Sequence, residues 1–79
     1  MSDLSSAVAA VFAQRRRELG LTLEEVGRRS DVHRTTVGLV ERNLRSPTLD
    51  TAHRLASALD LRLSTIVADF ERRNDDHQD

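Results

Sequence analysis

Between Thr22 and Thr48 the chain reads TLEEVGRRSDVHRTTVGLVERNLRSPT, two short helical patterns joined by a turn of about three to four residues. The first pattern opens on Thr22 with Glu25 three positions later, a capping-box pair that satisfies two backbone N–H groups reciprocally. It runs roughly from Leu23 to Arg29, after which Ser30, Asp31 and Val32 turn the chain, with Val32 as the inward apolar plug. The second spans about Arg34 to Arg42, buries Val37 and Val40, and ends on Asn43, which tolerates a left-handed stop. Helices this short draw their stability from packing, so the rest of the chain must cover their apolar sides.

Three further helical patterns supply that cover. Leu4, Val8, Val11, Phe12 and Leu19 recur at helical spacing, with Ser5 or Ser6 as the cap and Gly20 as the stop. Thr48 caps a fourth pattern whose apolar face is Leu49, Ala52, Leu55, Ala56 and Leu59. The fifth runs from about Leu63 to Phe70 or Arg72 and carries Leu63, Ile66, Val67 and Phe70. Three glycines, one proline and two aromatic residues in 79 favour helices over a sandwich or barrel. The expectation is an all-α, compact five-helix domain over residues 1–73, its fifth helix at about 63–72, with residues 74–79 as a disordered acidic tail.

Composition removes several classes of function. Without cysteine there are no disulfides and no thiolate metal sites, so close packing and self-association remain as sources of stability. No apolar run approaches the roughly 20 residues that span a bilayer. Asp3 stands where a signal peptide would carry basic charge, so a cytoplasmic protein is expected. His33, His53 and His77 are too scattered for a local metal site, and no Gly-rich phosphate loop or nucleophile–base pair is present. We expect no enzyme, cofactor, metal or small-molecule ligand.

Charge is distributed more tellingly than its net of −1 implies. From Arg15 to Arg54 there are nine arginines against six acids, a net of +3, while Asp75, Asp76 and Asp79 gather at the C-terminal end. Every basic residue is Arg; the planar guanidinium suits phosphate, and a GC-rich genome gives the same bias.

Two short helices at such a turn form a helix-turn-helix, whose second helix can enter the DNA major groove with its first residues at base edges. Here those are Arg34, Thr35 and Thr36, with Gly38 and Leu39 further along the same exposed face. Arg34 can clasp guanine O6 and N7 or hold a phosphate, and Leu39 can meet a thymine methyl or flank the core. Thr22 and His33 lie at helix starts, which favour anions. With Arg42 and Arg45 they are the candidate phosphate contacts.

The series Arg16-Arg17-Glu18-Leu19-Gly20-Leu21-Thr22, Glu25, Val32, Val37, Val40-Glu41-Arg42, Arg45-Ser46-Pro47-Thr48-Leu49 and Leu55-Ala56-Ser57-Ala58-Leu59 resembles the Cro and phage-repressor type of regulator, the xenobiotic-response-element (XRE) family. The resemblance covers about Arg15 to Val67. Arg34-Thr35-Thr36-Val37, Glu41-Arg42-Asn43 and Arg45 look most like the controller proteins of restriction–modification systems. It implies a lambda-repressor-like fold with the helix-turn-helix at helices 2 and 3. It also implies a structural ion pair between Arg16 and Glu41, and an autoregulatory homodimer that binds double-stranded DNA at a palindromic operator. Leu61, Leu63, Ile66, Val67 and Phe70 form the apolar stripe expected at the dimer interface. Four positions depart from the family's habits: Leu23 for Gln, Asp31 for Gly, His33 for Ser or Thr, and Gly27 for Ala, the last weakening its helix by roughly 1 kcal/mol. The alternative reading is an antitoxin-type module whose main role is binding a partner toxin.

Overall fold

Four of the five helices begin on a side chain that caps them. In the computed structural model, which describes residues 3–75, Asp3 accepts a hydrogen bond from the Ser6 N–H at 2.8 Å and starts α1 (Leu4–Glu18). Thr22 and Glu25 form the anticipated capping box, with bonds of 3.0 and 2.8 Å, at the start of α2 (Leu23–Ser30). His33 Nδ1 accepts from the Thr35 N–H at 3.1 Å and opens α3 (Arg34–Glu41). Thr48 accepts from the Thr51 N–H at 3.0 Å and opens α4 (Leu49–Ala58), and α5 (Leu63–Asp75) follows. These backbone bonds hold the Asp3 and Glu25 carboxyls below their ordinary range. The cap of α1 is Asp3 and not Ser5 or Ser6, because its carboxylate sits one residue ahead of the first turn and reaches the N–H three positions on.

The first four helices end alike. Gly20, Asp31, Asn43 and Asp60 adopt left-handed φ values of 69°, 59°, 58° and 60°. The next N–H in each case donates five residues back: Leu21 to Arg16, Val32 to Gly27, Leu44 to Leu39 and Leu61 to Ala56, at 2.8–3.1 Å. Leu21, Val32 and Leu61 then pack against the core, whereas Leu44 stays 68 % exposed.

Helix α2 packs on α3 and α4, α1 on α3 and α5, and α4 on α5. Val8 and Phe12 of α1, Val26 of α2, Val37 and Val40 of α3, Leu55, Ala56 and Leu59 at α4, and Ile66 of α5 meet in one core. The periodicity assigned too much to it. Leu4, Val11 and Leu19 are exposed, and Leu49, the first residue of α4, is 83 % exposed. Helical spacing identifies a face, but only the neighbouring helices decide how much of that face is covered.

Helix α5 also continues through Asn74 and Asp75, where the sequence pointed to a tail after Arg73. Asp69 bridges Arg72 and Arg73 at 2.6 and 3.0 Å, and Asn74 donates to the Phe70 carbonyl, so local pairs carry the last turns. The remainder of the expected tail, residues 76–79, lies outside the described residues.

Candidate nucleic-acid interface

The start of α3 is set by bare backbone. A Cβ on Gly27 would lie 2.6 Å from the Val32 carbonyl oxygen and 3.2 Å from the Arg34 nitrogen, so α2 and the turn approach closer than any side chain permits. Gly27 weakens α2 as a helix and tightens it as a seat for α3. Ser30, buried beside it, donates to the Val26 carbonyl at 2.7 Å and leaves no polar group unsatisfied. Asp31, which stands where the family carries Gly, takes a left-handed conformation.

The far end of α3 is held by charge. Arg16 Nε donates to Glu41 Oε2 at 2.7 Å and Nη2 to Oε1 at 3.0 Å, while Nη1 reaches the Leu21 carbonyl. Only 8 % of the Glu41 side chain is exposed, against 19 % for Arg16. The fork donates to both oxygens at once, and hydrogen bonding to Glu41 raises the Arg16 guanidinium above its ordinary value. The structure thus contains the ion pair that the family resemblance implied.

Between these ends the exposed face is narrower than the sequence indicated. Gly38 is buried, and the Leu23 Cδ1 lies 3.5 Å from where its Cβ would sit. Leu39 is half-buried. The residue standing in for the usual Gln therefore makes an intramolecular contact across α2 and α3. What remains open is the first turn: Arg34 and Thr35 are exposed and Thr36 is half-buried.

The candidate phosphate contacts surround that turn in the sequence and are all exposed: Thr22, His33, Arg42 and Arg45. Thr22 and His33 spend one acceptor each on their caps. Arg42 folds back so that its Nε donates to the Gly38 carbonyl at 3.2 Å. Arg45 rides on a loop tied to α1, where Asn43 Nδ2 donates to Ser6 Oγ at 2.8 Å and Ser5 Oγ lies 3.2 Å from Ser46 Oγ. Sequence reasoning missed this role of Ser5 and Ser6, because nothing local marks a bond to residues some forty positions away.

Of the apolar stripe expected at the dimer interface, Ile66 is part of the core, and Leu63 and, just ahead of α5, Leu61 are half-buried against it. Val67 and Phe70 are half-buried as well, and Phe70 borders an open groove with Ala7, Ala10 and Val11 of α1. Among the described residues no group of three or more acidic or histidine side chains is placed to hold a metal ion.

The Helix-turn-helix family HTH_3 matches residues 12–66. An uncharacterized HTH-type transcriptional regulator, y4dJ of Sinorhizobium fredii, is 44 % identical over 57 residues, covering 72 % of this chain and 74 % of that protein. Another uncharacterized HTH-type transcriptional regulator, from Methanothermobacter thermautotrophicus, is 48 % identical over 49 residues, 62 % of this chain and 71 % of that one. The wild-type restriction-modification controller protein C.Esp1396I superposes with a TM-score of 0.76 at 26 % identity, over 91 % of this chain and 95 % of its own. The C.Esp1396I tetramer in complex with its natural 35 base-pair operator gives 0.77 over the same shares. A family match over most of the chain, joined to this fold and to the seated α3, places the protein: it belongs to the helix-turn-helix family and has the fold of a restriction–modification controller protein.

Proposed function

We propose that this protein is a sequence-specific DNA-binding transcriptional regulator that reads a palindromic operator as a homodimer and controls its own expression. The observation that carries the reading is α3 itself, seated by Gly27 and clamped by Arg16 with its first turn left open. Arg34, Thr35 and Thr36, with Leu39 at the margin, read bases, while Thr22, His33, Arg42 and Arg45 hold phosphates. Val67 and Phe70 lead the dimer contact, flanked by Leu61 and Leu63, with Ile66 supporting them from the core. Two copies then present their recognition helices about 34 Å apart, one DNA turn. The solved relatives support this arrangement, since C.Esp1396I is bound to a 25 base pair operator site in one structure and is a tetramer on its operator in another. Regulation follows protein concentration in the cytoplasm, and no described helix is long and apolar enough to cross a membrane. The reading gives no residue a catalytic role.

Selection of bound duplexes from a random library tests this. An enriched inverted repeat is the expected result; no enrichment by folded protein overturns it. Leu44 and Leu49, 68 % and 83 % exposed, favour one other reading, a module whose main role is binding a protein partner such as a toxin. Co-purification of a stoichiometric partner, lost on changing both leucines to serine, is the outcome that reading requires.

A further inference from the structure

Resting on the DNA-reading role of α3, we infer that His33 is a positioning residue whose neutral imidazole holds the base-reading turn in register, so that sequence discrimination is lost on acidification. The Thr35 N–H donates to His33 Nδ1, so that nitrogen must carry a lone pair and the ring proton sits on Nε2. Protonation places a hydrogen on both nitrogens. Nδ1 then faces the Thr35 N–H donor to donor, and a cation stands at the positive end of the α3 dipole. The cap opens and the first turn, which carries Arg34, Thr35 and Thr36, frays.

The depression beside His33 is also lined by Glu24 and Arg28 of α2, Asp31 of the turn and Arg34 of α3, two carboxylates against two guanidinium groups. The ring is exposed, so protons from solvent reach it freely. A family-typical Ser or Thr at this position caps the helix without titrating. The substitution of His therefore adds a proton-sensitive joint at the start of the recognition helix.

Added positive charge also strengthens attraction to any phosphate backbone, whatever its sequence. Discrimination is accordingly read as the ratio of affinities for the selected operator and a scrambled duplex at fixed salt. Between pH 7.5 and 5.5 the wild-type ratio falls about five-fold, the scale of a lost cap. His33→Asn, which keeps a capping acceptor that does not titrate, gives a ratio that is the same at both pH values, whatever its overall affinity, and His33→Ala gives a low ratio at both. A wild-type ratio that does not change with pH, or a His33→Asn profile that matches wild type, overturns the inference.

Amide exchange of Thr35 in the free protein gives a second arm without DNA. Its protection drops as the imidazole charges in wild type and does not in His33→Asn; equal protection in both proteins at both pH values overturns the cap's role. If neither duplex is preferred at any pH, while Thr35 protection still follows the imidazole, the DNA-reading proposal has failed and the cap has not.

Discussion

The two ends of α3 are held by opposite kinds of force. At its start, backbone meets backbone: Gly27 lets the Val32 carbonyl come closer than a methyl group would allow, and the apolar plug behind it turns into the core. At its end, Glu41 is clasped by Arg16 from another helix, and beyond it Leu44 makes the same left-handed exit as Val32 without finding anything to bury against. The local grammar of the two exits is identical, down to φ values of 59° and 58°. Steric contact falls off within a fraction of an ångström, so it fixes an angle. A charge pair is longer in range and fixes a distance more loosely. The end proposed to present side chains to bases has the stiffer of the two supports.

Breaking the charged end should have the largest effect. Glu41→Ala leaves the Arg16 guanidinium mostly buried and unpaired, and is expected to cost about 3–5 kcal/mol, enough to unfold a domain of this size. Urea or thermal melting checks it, and an unchanged midpoint would remove the clamp from the account. Gly27→Ala should come next. Helix propensity alone predicts a gain of roughly 1 kcal/mol, but the methyl group must push back the turn, so a net loss of about 1–3 kcal/mol is expected. A stabilised Gly27→Ala protein would show that the two helices separate easily.

Binding then tests the ends against each other. Arg34→Ala, at the stiff end, should weaken operator binding by about 1–3 kcal/mol and relax preference at one base position. Arg45→Ala, on the loop past the charged end, should weaken all sequences alike and lower the salt slope by about one. Equal losses on every duplex for Arg34→Ala would end its assignment as a base reader.

Acid gives a smaller effect. The Glu25 carboxyl is depressed in the folded state, so its contribution is complete above its ordinary value of 4.5 and is lost as pH falls below it through the folded value. The start of α2 should loosen over that interval, and Glu25→Gln should flatten that part of the stability profile. Least affected is Leu44→Ser, expected within about 0.5 kcal/mol of wild type because the side chain is mostly in water. A large loss would mean the two exits are closer in kind than they look.

Much of this was legible in the sequence where the signal is local. Thr22 with Glu25, Thr48 as a cap, and Gly20 and Asn43 as stops all follow from backbone groups within a few residues. Arg16 with Glu41 came from family resemblance and not from any local pattern, being 25 positions apart. What the sequence concealed depends on distant neighbours. Leu49 and Val11 fit a helical stripe but stay exposed, and Gly38, which shares a face with Arg34 in the sequence, lies under Leu23. His33 was legible as a helix start, but the nitrogen that serves as acceptor was not.

Helix α1 makes its decisive bonds far ahead of itself, from Ser6 to Asn43, from Arg16 to Glu41 and from Arg15 to the Leu59 carbonyl. On the ribosome it therefore emerges before any of these partners exists. Its apolar residues are covered by α3 and α5, so they stay exposed until those helices have been made, with the Asp3 cap at the first turn. The paired helices α2 and α3, whose contacts are short in sequence, can meet as soon as they are synthesised. Helix α1 is thus made ahead of both helices it packs on, and its clamp on α3 can close only after Glu41 has been added.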